Sequence, residues 1–411
     1  VGAGARVGRE RVPPRERGGV MTVEMRPDVP ITTPEQLHAH LREAAAVELS
    51  TIPLYLYAMY SIKPGGEYQW DAGVSAFRTI RSVVIEEMLH LCLVRNILLG
   101  TGGDMTFYDR SFVPEYPGLL RQHTPDLMLH LEPCTPDLMR RVFMPLEMPE
   151  VADAPPQPDR YNTLGQFYGA IVLGLETLSG PDLWSDTRSA NQYVSAYWNQ
   201  DGGGKPIPVT DLPTALEAVR TIVEQGEGAA PGDQMTPLRP DDPTVGYDEY
   251  SHYAKFSRIA AGIDDVLTPY IDQGEALWPV PTDPKASDFD GPVHDLAILF
   301  NAAYCYVLKL IDAVYAESRA GMTGDTTNKR YGYERTFIAS MGGLLYPLAD
   351  LLVRQPTADG QHAAPTFEFH DFEQPSAKQE LIDRCTALVP AFPALGGPDG
   401  VLWLLAKLPD V

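Results

Sequence analysis

The sequence contains few cysteines, and no two of them are close together. Its 411 residues include four, at Cys92, Cys134, Cys305 and Cys385, and none forms the Cys-x-x-Cys pair of a zinc or redox site. Most of them lie in apolar or helical contexts, where cysteine behaves as a small hydrophobic residue. We therefore expect a reduced, cytoplasmic protein.

Positive charge is also scarce, and long apolar runs are missing. There are 32 Lys and Arg residues against 55 Asp and Glu, which gives a formal net charge of -23, and such a surface repels nucleic acid and anionic membranes. No uninterrupted run of about 18 apolar residues occurs. The nearest candidate, LAILFNAAYCYVLKLI, contains Asn301 and Lys309. We expect neither nucleic acid nor a membrane as a partner.

Apolar residues recur mostly at helical spacing, and strand signals are weak. Thr33-Pro34-Glu35-Gln36 has the N-cap, first-turn proline and third-position Gln of a helix start. Residues 104–160 are rich in proline and read as a long crossover, with a short strand in LMLHL and a helix start at Thr135-Pro136. The pattern predicts an all-α fold, with helices over about residues 33–62, 71–99, 163–178, 212–227, 245–264, 291–317, 333–354 and 376–390.

Carboxylates and histidines interrupt the apolar stripes of these helices. Glu87 and His90 lie in VVIEEMLHLCLV, Glu249 and His252 lie in DEYSHYAKF, and Glu48 lies in VELSTIPLYLY. A Glu-x-x-His spacing puts both side chains on one helix face, and buried Glu is rare unless it is paired or binds a metal. Two such pairs and two single Glu residues can hold two iron ions, with manganese as the alternative. These five residues are predicted metal ligands.

The sixth ligand should be a single Glu near the end of a helix antiparallel to the one that carries Glu249. Glu227 is the first choice, because Val219, Val223 and Glu227 follow one apolar stripe. Glu176 meets the same requirement through a longer connection, and Gln166 ranks third because it lacks charge.

Several neighbouring residues have expected supporting roles. Glu86 points about 100° away from Glu87 and should cap a surface interaction or contact the site from outside. Four tyrosines could donate hydrogen bonds to ligand carboxylates, although tyrosine at helical spacing is more typical of a core; they are Tyr55, Tyr57, Tyr168 and Tyr253. Five histidines without a paired motif should be structural or exposed, namely His123, His130, His294, His362 and His370.

Taken together, these segments resemble a known family. LREAAAVELSTIPLYLYAMYSI, RTIRSVVIEEMLHLCLVRNILLGTGG, FVPEYPG, TLGQFYGAI, IVEQGEG and EYSHYAKF are similar to the ferritin-like domain of iminophenyl-pyruvate dimer synthases, which are related to chromopyrrolate synthase. The resemblance implies a ferritin-like di-metal helix bundle with a long crossover and additional C-terminal helices. It also implies metal ligands at Glu48, Glu87, His90, Glu249 and His252, with Glu227 in QGEG. The named enzymes are much longer, and position 166 is Gln where some relatives are expected to have Glu, so the fold transfers better than the substrate.

The expected organisation has three parts, because a chain of this length exceeds one typical core. We expect a disordered N-terminal extension over residues 1–28, a metal-binding bundle over 29–270, and a C-terminal helical region over 271–411 packed on that bundle.

The first functional hypothesis is a di-iron oxidoreductase of secondary metabolism that uses O2 or peroxide on a small imine, for example one derived from an amino acid. A small-molecule substrate, a homodimer and an electron donor are its expected partners. The alternative is a metal-containing, non-catalytic binding or scaffold protein, and a third reading is a site whose side chains pair internally and bind nothing. An open site beside a pocket would favour catalysis, and a closed site would favour structure.

Overall fold

The computed structural model describes residues 24–63, 76–149, 159–184, 187–194, 203–226, 238, 250–261, 276–318 and 329–411. Helices account for most of this structure, as predicted. In chain order they are α1 (Pro34–Tyr60), α2 (Ala76–Gly100), α3 (136–146), α4 (Leu164–Leu178), α5 (Leu212–Gly226), α6 (His252–Ala261), α7 (Gly291–Ala316), α8 (Lys329–Val353), α9 (Ala377–Leu388) and α10 (Val401–Leu405).

Several short elements complete the described structure. Both α3 and α8 contain a π-helical stretch, Met139–Phe143 and Met341–Leu345 respectively. The strands β1 (Gly118–Leu119) and β2 (Met128–Leu129) pair antiparallel, with Gly118 opposite Leu129, and β2 lies within the predicted LMLHL strand. Single 3-10 turns occupy Pro181–Trp184, Thr187–Asn191, Ala286–Asp288 and Pro393–Gly396.

The helices begin where their capping residues predict. Thr33 accepts a hydrogen bond from the backbone of Gln36 at 3.3 Å, and the Gln36 side chain accepts one from the backbone of Thr33 at 3.1 Å. Thr135 accepts a hydrogen bond from the backbone of Leu138 at the start of α3, and Thr163 accepts one from the backbone of Gln166 at the start of α4. These bonds satisfy amide groups that the first helical turn leaves unpaired. Parts of three predicted helices, namely residues 71–75, 227, 245–249 and 262–264, lie outside the described residues.

Four helices form the bundle. Helix α1 packs against α2 and α4, and α5 also packs against α2 and α4. Each of the four helices therefore contacts two of the others. The shorter α6 packs against α2, α5 and α3. The crossover therefore returns to the bundle through α3 and brings its own side chains close to those of α2 and α6.

The C-terminal region contacts the bundle through buried polar groups as well as apolar packing. Arg95 of α2 forms an ion pair with Asp312 of α7 at 2.7 Å. Asp312 also accepts hydrogen bonds from the backbone of Phe107 and Tyr108, each at 2.9 Å. Arg330 of α8 is fully buried and donates to the backbone oxygen of Gln192 at 2.8 Å. These bonds connect α7 and α8 to residues that precede position 200.

Two helices, α7 and α8, are long and apolar enough to cross a membrane by length and composition. The most apolar window of α7 is 72% buried inside the fold, and that of α8 is 44% buried. Core helices of soluble proteins share these properties, and both helices pack against neighbouring helices here.

Of the predicted N-terminal extension, residues 1–23 lie outside the described residues, and a turn closes between the oxygen of Arg26 and the amide of Val29 at 3.0 Å.

Truncation after about residue 270 is expected to give an insoluble bundle. The reason is that Leu49, Ile52, Leu56, Met88 and Leu91 of α1 and α2 share one apolar cavity with α7 and α8, and removal of those helices would expose this surface to water. Expression of residues 1–270 beside the full chain, followed by size-exclusion chromatography, tests this. A soluble, monomeric fragment that retains its metal would contradict it and would establish two independent domains.

Candidate metal centre

Five buried side chains converge inside the bundle. Glu48 comes from α1, Glu87 and His90 come from α2, Glu147 follows α3 directly, and His252 is the first residue of α6. Each is at most 5% exposed. They form two groups, Glu48 with Glu87 and His90, and Glu87 with Glu147 and His252, and in each group one atom from every residue lies within 4.8 Å of the others. Glu87 belongs to both groups, so one carboxylate is common to the two sets of possible metal ligands.

His90 is oriented from its outer side. Its Nε2 atom lies 3.1 Å from Oε1 of Gln225 on α5, and its Nδ1 atom lies 3.3 Å from Oε2 of Glu48. The two bundle histidines stack, with 5.3 Å between the ring centroids of His90 and His252. Histidines that bind metals commonly have their second ring nitrogen held by a hydrogen-bond partner. Gln225 can play that part for His90.

His252 provides the test of whether a metal fits. Its Nε2 atom is held by Glu86 at 3.0 Å. Its Nδ1 atom lies 2.9 Å from Glu87 Oε1 and 3.4 Å from Glu147 Oε1, yet it makes no hydrogen bond of acceptable geometry with any described residue. A buried polar atom without a partner is costly. A cation between this nitrogen and the two carboxylates would satisfy all three groups, so the residues present fit a metal ion.

The carboxylates are also fixed from outside. Each of the three accepts one hydrogen bond from a buried hydroxyl group, which orients it and leaves its remaining lone pairs available. The pairs are Tyr168 with Glu48, Thr51 with Glu87 Oε2 at 2.7 Å, and Tyr55 with Glu147 Oε1 at 2.6 Å. Tyr55 and Tyr168 therefore have the donor role considered for them, whereas Tyr57 donates to the backbone oxygen of Pro281.

Glu86 contacts the centre from outside and is not at the surface. It is 1% exposed, accepts a hydrogen bond from Lys255 Nζ at 2.5 Å and another from the backbone of Gly203 at 2.9 Å, and holds His252. Burial alone would raise the pKa of Glu86, but the charge of Lys255 and the bond to His252 outweigh it and lower the pKa to about 2. Glu86 is thus an anion that fixes the orientation of the His252 ring.

Glu87, the carboxylate that belongs to both groups, differs from Glu86 because its pKa is raised. Burial raises the pKa of Glu87 to about 7, and the negative charges of Glu147 and Glu48 add to this effect, while the nearby His252 ring opposes it. Burial also acts to raise the pKa of Glu48, but His90 reverses the effect and leaves that pKa lowered. The pKa of His252 is raised well above its usual value because Glu147, Glu86 and Glu87 outweigh the effect of burial. Without a metal, the centre therefore retains protons that metal binding would release.

The predicted site residues divide into three sets. Glu48, Glu87, His90 and His252 are brought together, whereas Glu227 and Glu249 lie outside the described residues. The alternatives for the sixth ligand lie elsewhere. Glu176 is exposed, and the Gln166 side chain accepts a hydrogen bond from the backbone of Asn162 at 2.9 Å, at the start of α4. The five histidines without a Glu-x-x-His motif belong to neither group.

Glu147 was missed by sequence reasoning, because residues 104–160 were read only as a connection. A signal was present in FMPLEM, where this Glu interrupts an apolar run. Phe143 and Leu146 are buried, as expected for one face of a helix that begins at Thr135. A carboxylate four residues after Phe143 lies near the same face of such a helix.

The space between these ligands is small. A cavity of about 30 Å³ is lined by Glu48, Glu87, His90, Glu147 and Tyr168, among others. One water-sized group needs roughly 10–15 Å³ on this measure. The cavity thus has room for about two ions or small molecules.

Similarities to known proteins agree with this geometry. A profile of the ferritin-like family matches residues 41–261. The chain is 27% identical over 395 residues to the dichlorochromopyrrolate synthase of Lentzea aerocolonigenes, covering 84% of this chain and 37% of that enzyme. It is 26% identical over 370 residues to the 2-imino-3-(indol-3-yl)propanoate dimerase of Chromobacterium violaceum, covering 82% of this chain and 34% of the relative. The chain therefore spans about a third of the length of these relatives.

A ferritin-like protein from Caulobacter vibrioides aligns in structure with a TM-score of 0.49 and 23% identity, over 78% of this chain and 98% of that one. The family profile covers more than half of the sequence. This chain belongs to the ferritin-like family.

Proposed function

We propose that the five clustered residues bind two iron ions, with manganese as the alternative, and that the protein is an oxidoreductase using O2 or peroxide on a small imine. The observation that carries the proposal is the Nδ1 atom of His252, which is buried and aimed at two carboxylates without a hydrogen bond. Glu227 and Glu249 remain predicted ligands that would complete the coordination.

Each protein group would have a definite part in such a centre. When bound, the two ions would supply binding and reduction of the oxidant. Glu48, Glu87 and Glu147 would hold them as anionic ligands and neutralise their charge. Gln225 and Glu86 would keep the Nδ1 atoms of the two histidines directed inward. The surrounding apolar side chains, among them Leu146, Leu164 and Ile222, would exclude bulk water.

The substrate class rests on the relatives. One is named as a dimerase of 2-imino-3-(indol-3-yl)propanoate and the other as a dichlorochromopyrrolate synthase, so an imine derived from an aromatic amino acid is the first candidate. Secondary metabolism, a cytoplasmic location, a homodimeric state and an electron-donating partner belong to the same proposal. Secondary metabolism is proposed from the relatives, the cytoplasmic location from the scarce and widely spaced cysteines, and the electron donor from the need to reduce the oxidant.

One observation favours a second candidate, a metal-containing protein that binds or scaffolds partners without catalysis. The cavity at the ligands holds only about 30 Å³, and a closed site is typical of a structural metal. In that case metal removal would destabilise the fold without abolishing a reaction, because metal binding to the native state adds to folding free energy.

Metal content is the first prediction. Protein purified from iron-supplemented cells is expected to contain about two iron ions per chain, and Glu87→Gln and Glu147→Gln should each lose at least one of them, because each removes an anionic ligand. Elemental analysis measures this. Glu176→Gln, an exposed Glu on α4, is the matched control and should keep both ions, and Glu227→Gln and Glu249→Gln test the remaining predicted ligands. Absence of stoichiometric metal from the parent would overturn the proposal.

The metal-free protein should lose stability as pH rises. A carboxyl whose pKa is higher in the folded state stabilises the fold while it is protonated there, so the contribution of Glu87 is complete below pH 4.5 and is lost as pH rises through about 7. Its size is about 3 kcal/mol. Urea unfolding between pH 4.5 and 8 in the presence of a chelator measures this loss. Glu87→Gln should show a smaller decline than the parent or than Glu176→Gln, and equal declines would contradict the prediction.

Turnover is the direct test of the enzymatic proposal. The iron-loaded protein should convert the imine generated from L-tryptophan by an amino-acid oxidase into a coupled or oxidised product, detected by mass spectrometry and dependent on O2. Glu147→Gln should reduce the rate by more than ~100-fold, since even residues that only support a ligand affect activity by 10–100-fold. Glu176→Gln should behave as the parent. A parent with two irons and no product from a panel of imines would favour the scaffold.

A further inference from the structure

Two adjacent glycines lie behind the candidate metal centre, and we call Gly203 and Gly204 the glycine pair. The backbone N–H of Gly203 donates to Oε1 of Glu86 at 2.9 Å. The other oxygen of Glu86 lies 3.0 Å from Nε2 of His252 and accepts a hydrogen bond from Lys255. The carboxylate is thus bound at one oxygen by helix α6 and at the other by a loop. Bonds at both oxygens fix its orientation, so Gly203 helps to set the direction of the His252 ring.

The second glycine faces the residue that holds the other histidine. A Cβ atom on Gly204 would lie 3.2 Å from Nε2 of Gln225 and 2.9 Å from Cδ2 of Leu89. Carbon atoms in contact prefer separations of about 3.5–4.0 Å, so a side chain at this position would displace one or both of these neighbours. Oε1 of Gln225 lies 3.1 Å from Nε2 of His90. The lack of a side chain at Gly204 therefore preserves the contact that orients His90.

The backbone of Gly204 also requires glycine, and Gly102 allows the two requirements to be separated. Gly204 has a φ of +78° and Gly102 has a φ of +82°, a left-handed conformation that residues with a Cβ atom adopt rarely. At Gly102, however, a Cβ atom would meet nothing within 4 Å among the described residues. Alanine strains the backbone at both positions, and only at Gly204 does it also press on Leu89 and Gln225.

The segment that contains the glycine pair is fixed to the helix that carries two candidate ligands. Asn96 of α2 is fully buried, and its Nδ2 atom donates to the backbone oxygens of Tyr193 at 2.8 Å and Ile207 at 3.0 Å. Its Oδ1 atom accepts a hydrogen bond from the amide of Tyr193 at 3.0 Å. The side chain of Gln192 exchanges two hydrogen bonds of 2.7 Å with the backbone of Val209. These bonds hold residues on both sides of the glycine pair in place against α2.

From these contacts we infer that the glycine pair is a positioning element for both candidate ligand histidines. Its effect on His252 passes through Glu86, and its effect on His90 passes through Gln225. The two rings stack at an interplanar angle of 26°, so one backbone segment sets their directions together. The inference rests on the proposed function in taking these histidines as metal ligands. Ring orientation is also a property of the metal-free protein, so the two proposals can fail separately.

The first test compares Gly204→Ala with Gly102→Ala as the matched control. The metal-free full chain is titrated with cobalt(II), which takes the nitrogen and oxygen ligands of the neighbouring first-row ions, and its visible absorption is recorded. Gly204→Ala should bind cobalt at least ~10-fold more weakly than the parent, since residues that orient metal ligands affect affinity by roughly 10–100-fold. Its absorption bands should shift because the ligand directions change. Gly102→Ala should keep the affinity and the bands of the parent.

A double-mutant cycle tests whether the effect passes through Gln225. Gln225→Met removes the amide that contacts His90 and should itself weaken cobalt binding. Combined with Gly204→Ala, the loss of affinity should be well below the product of the two single losses, because both changes act on the same ring. Gln225→Met combined with Gly102→Ala should give the full product of the single losses.

Nuclear magnetic resonance of the metal-free chain, isotope-labelled in its histidine rings, gives a readout that needs no metal. The ring nitrogen shifts report which nitrogen carries the proton and what it bonds to. Gly204→Ala should move the ring signals of His90, which are assigned by their loss in His90→Gln, and Gly102→Ala should leave them in place. A parent that binds no cobalt would overturn the proposed metal centre, and this comparison alone would then decide whether the glycine pair positions the rings.

Circular dichroism melting confirms that each variant folds. If Gly204→Ala does not, Asn96→Ser takes its place, because it removes the hydrogen bonds that hold the loop without adding an atom to it. It should weaken cobalt binding and move the same histidine signals. Asn191→Ser, which removes hydrogen bonds to the end of α7 instead, is its control.

Three results in folded protein would reject the inference. One is a Gly204→Ala protein whose cobalt affinity and histidine signals equal those of the parent. Another is an equal effect of Gly102→Ala, which would reduce the role of Gly204 to backbone conformation. The third is a loss of affinity in the combination with Gln225→Met that equals the product of the single losses, which would show that Gly204 does not act through that side chain.

Discussion

Buried negative charge is the constraint on which the rest of this structure depends. Glu48, Glu86, Glu87 and Glu147 lie inside a helical bundle, where a carboxylate is tolerated only if it is paired, protonated or bound to a metal. Lys255 compensates one of them, Glu86, directly. The other three form ion pairs only with imidazoles among the described residues. Bound cations would resolve this imbalance, and protons must do so when the cations are absent, as the raised pKa of Glu87 indicates.

The fold satisfies this constraint with helix geometry. Residues three apart on α2 face the same way, so Glu87 and His90 both point into the bundle. The neighbouring Glu86 is rotated by about 100° and reaches the outer nitrogen of His252 instead. Two adjacent glutamates thus have different roles. Glu87 faces the cluster of carboxylates and histidines. Glu86 is paired with Lys255 and orients the His252 ring through its outer nitrogen.

How much the sequence could predict depends on how local each signal is. Helix starts at Thr33, Thr135 and Thr163 follow from short-range hydrogen bonds, and the helical periodicity was enough for the all-α fold. Glu48, Glu87, His90 and His252 were found because each interrupts an apolar helix. Glu147 was not, since its inward direction depends on how a proline-rich crossover packs on α2 and α6, which is a long-range property. For Glu86 the sequence left open a surface interaction or a contact with the site from outside, because helix geometry gives the direction of a side chain but not what covers it.

The two cavities give α1 and α2 an unusual position in the molecule. On α1, Glu48 and Thr51 line the cavity at the candidate metal ligands, and the next residues, Leu49 and Ile52, line the apolar cavity shared with α7 and α8. On α2, Glu87 and His90 line the first cavity, and the next residues, Met88 and Leu91, line the second. One residue along a helix is a rise of 1.5 Å and a rotation of about 100°, so the apolar cavity shared with α7 and α8 lies against the same turns that carry the candidate ligands. The apolar side chains of that cavity therefore pack on the helical turns that carry the candidate metal ligands. Because closely packed interiors transmit strain, a change of packing on one side of the helix pair can shift the carboxylates and histidines on the other side.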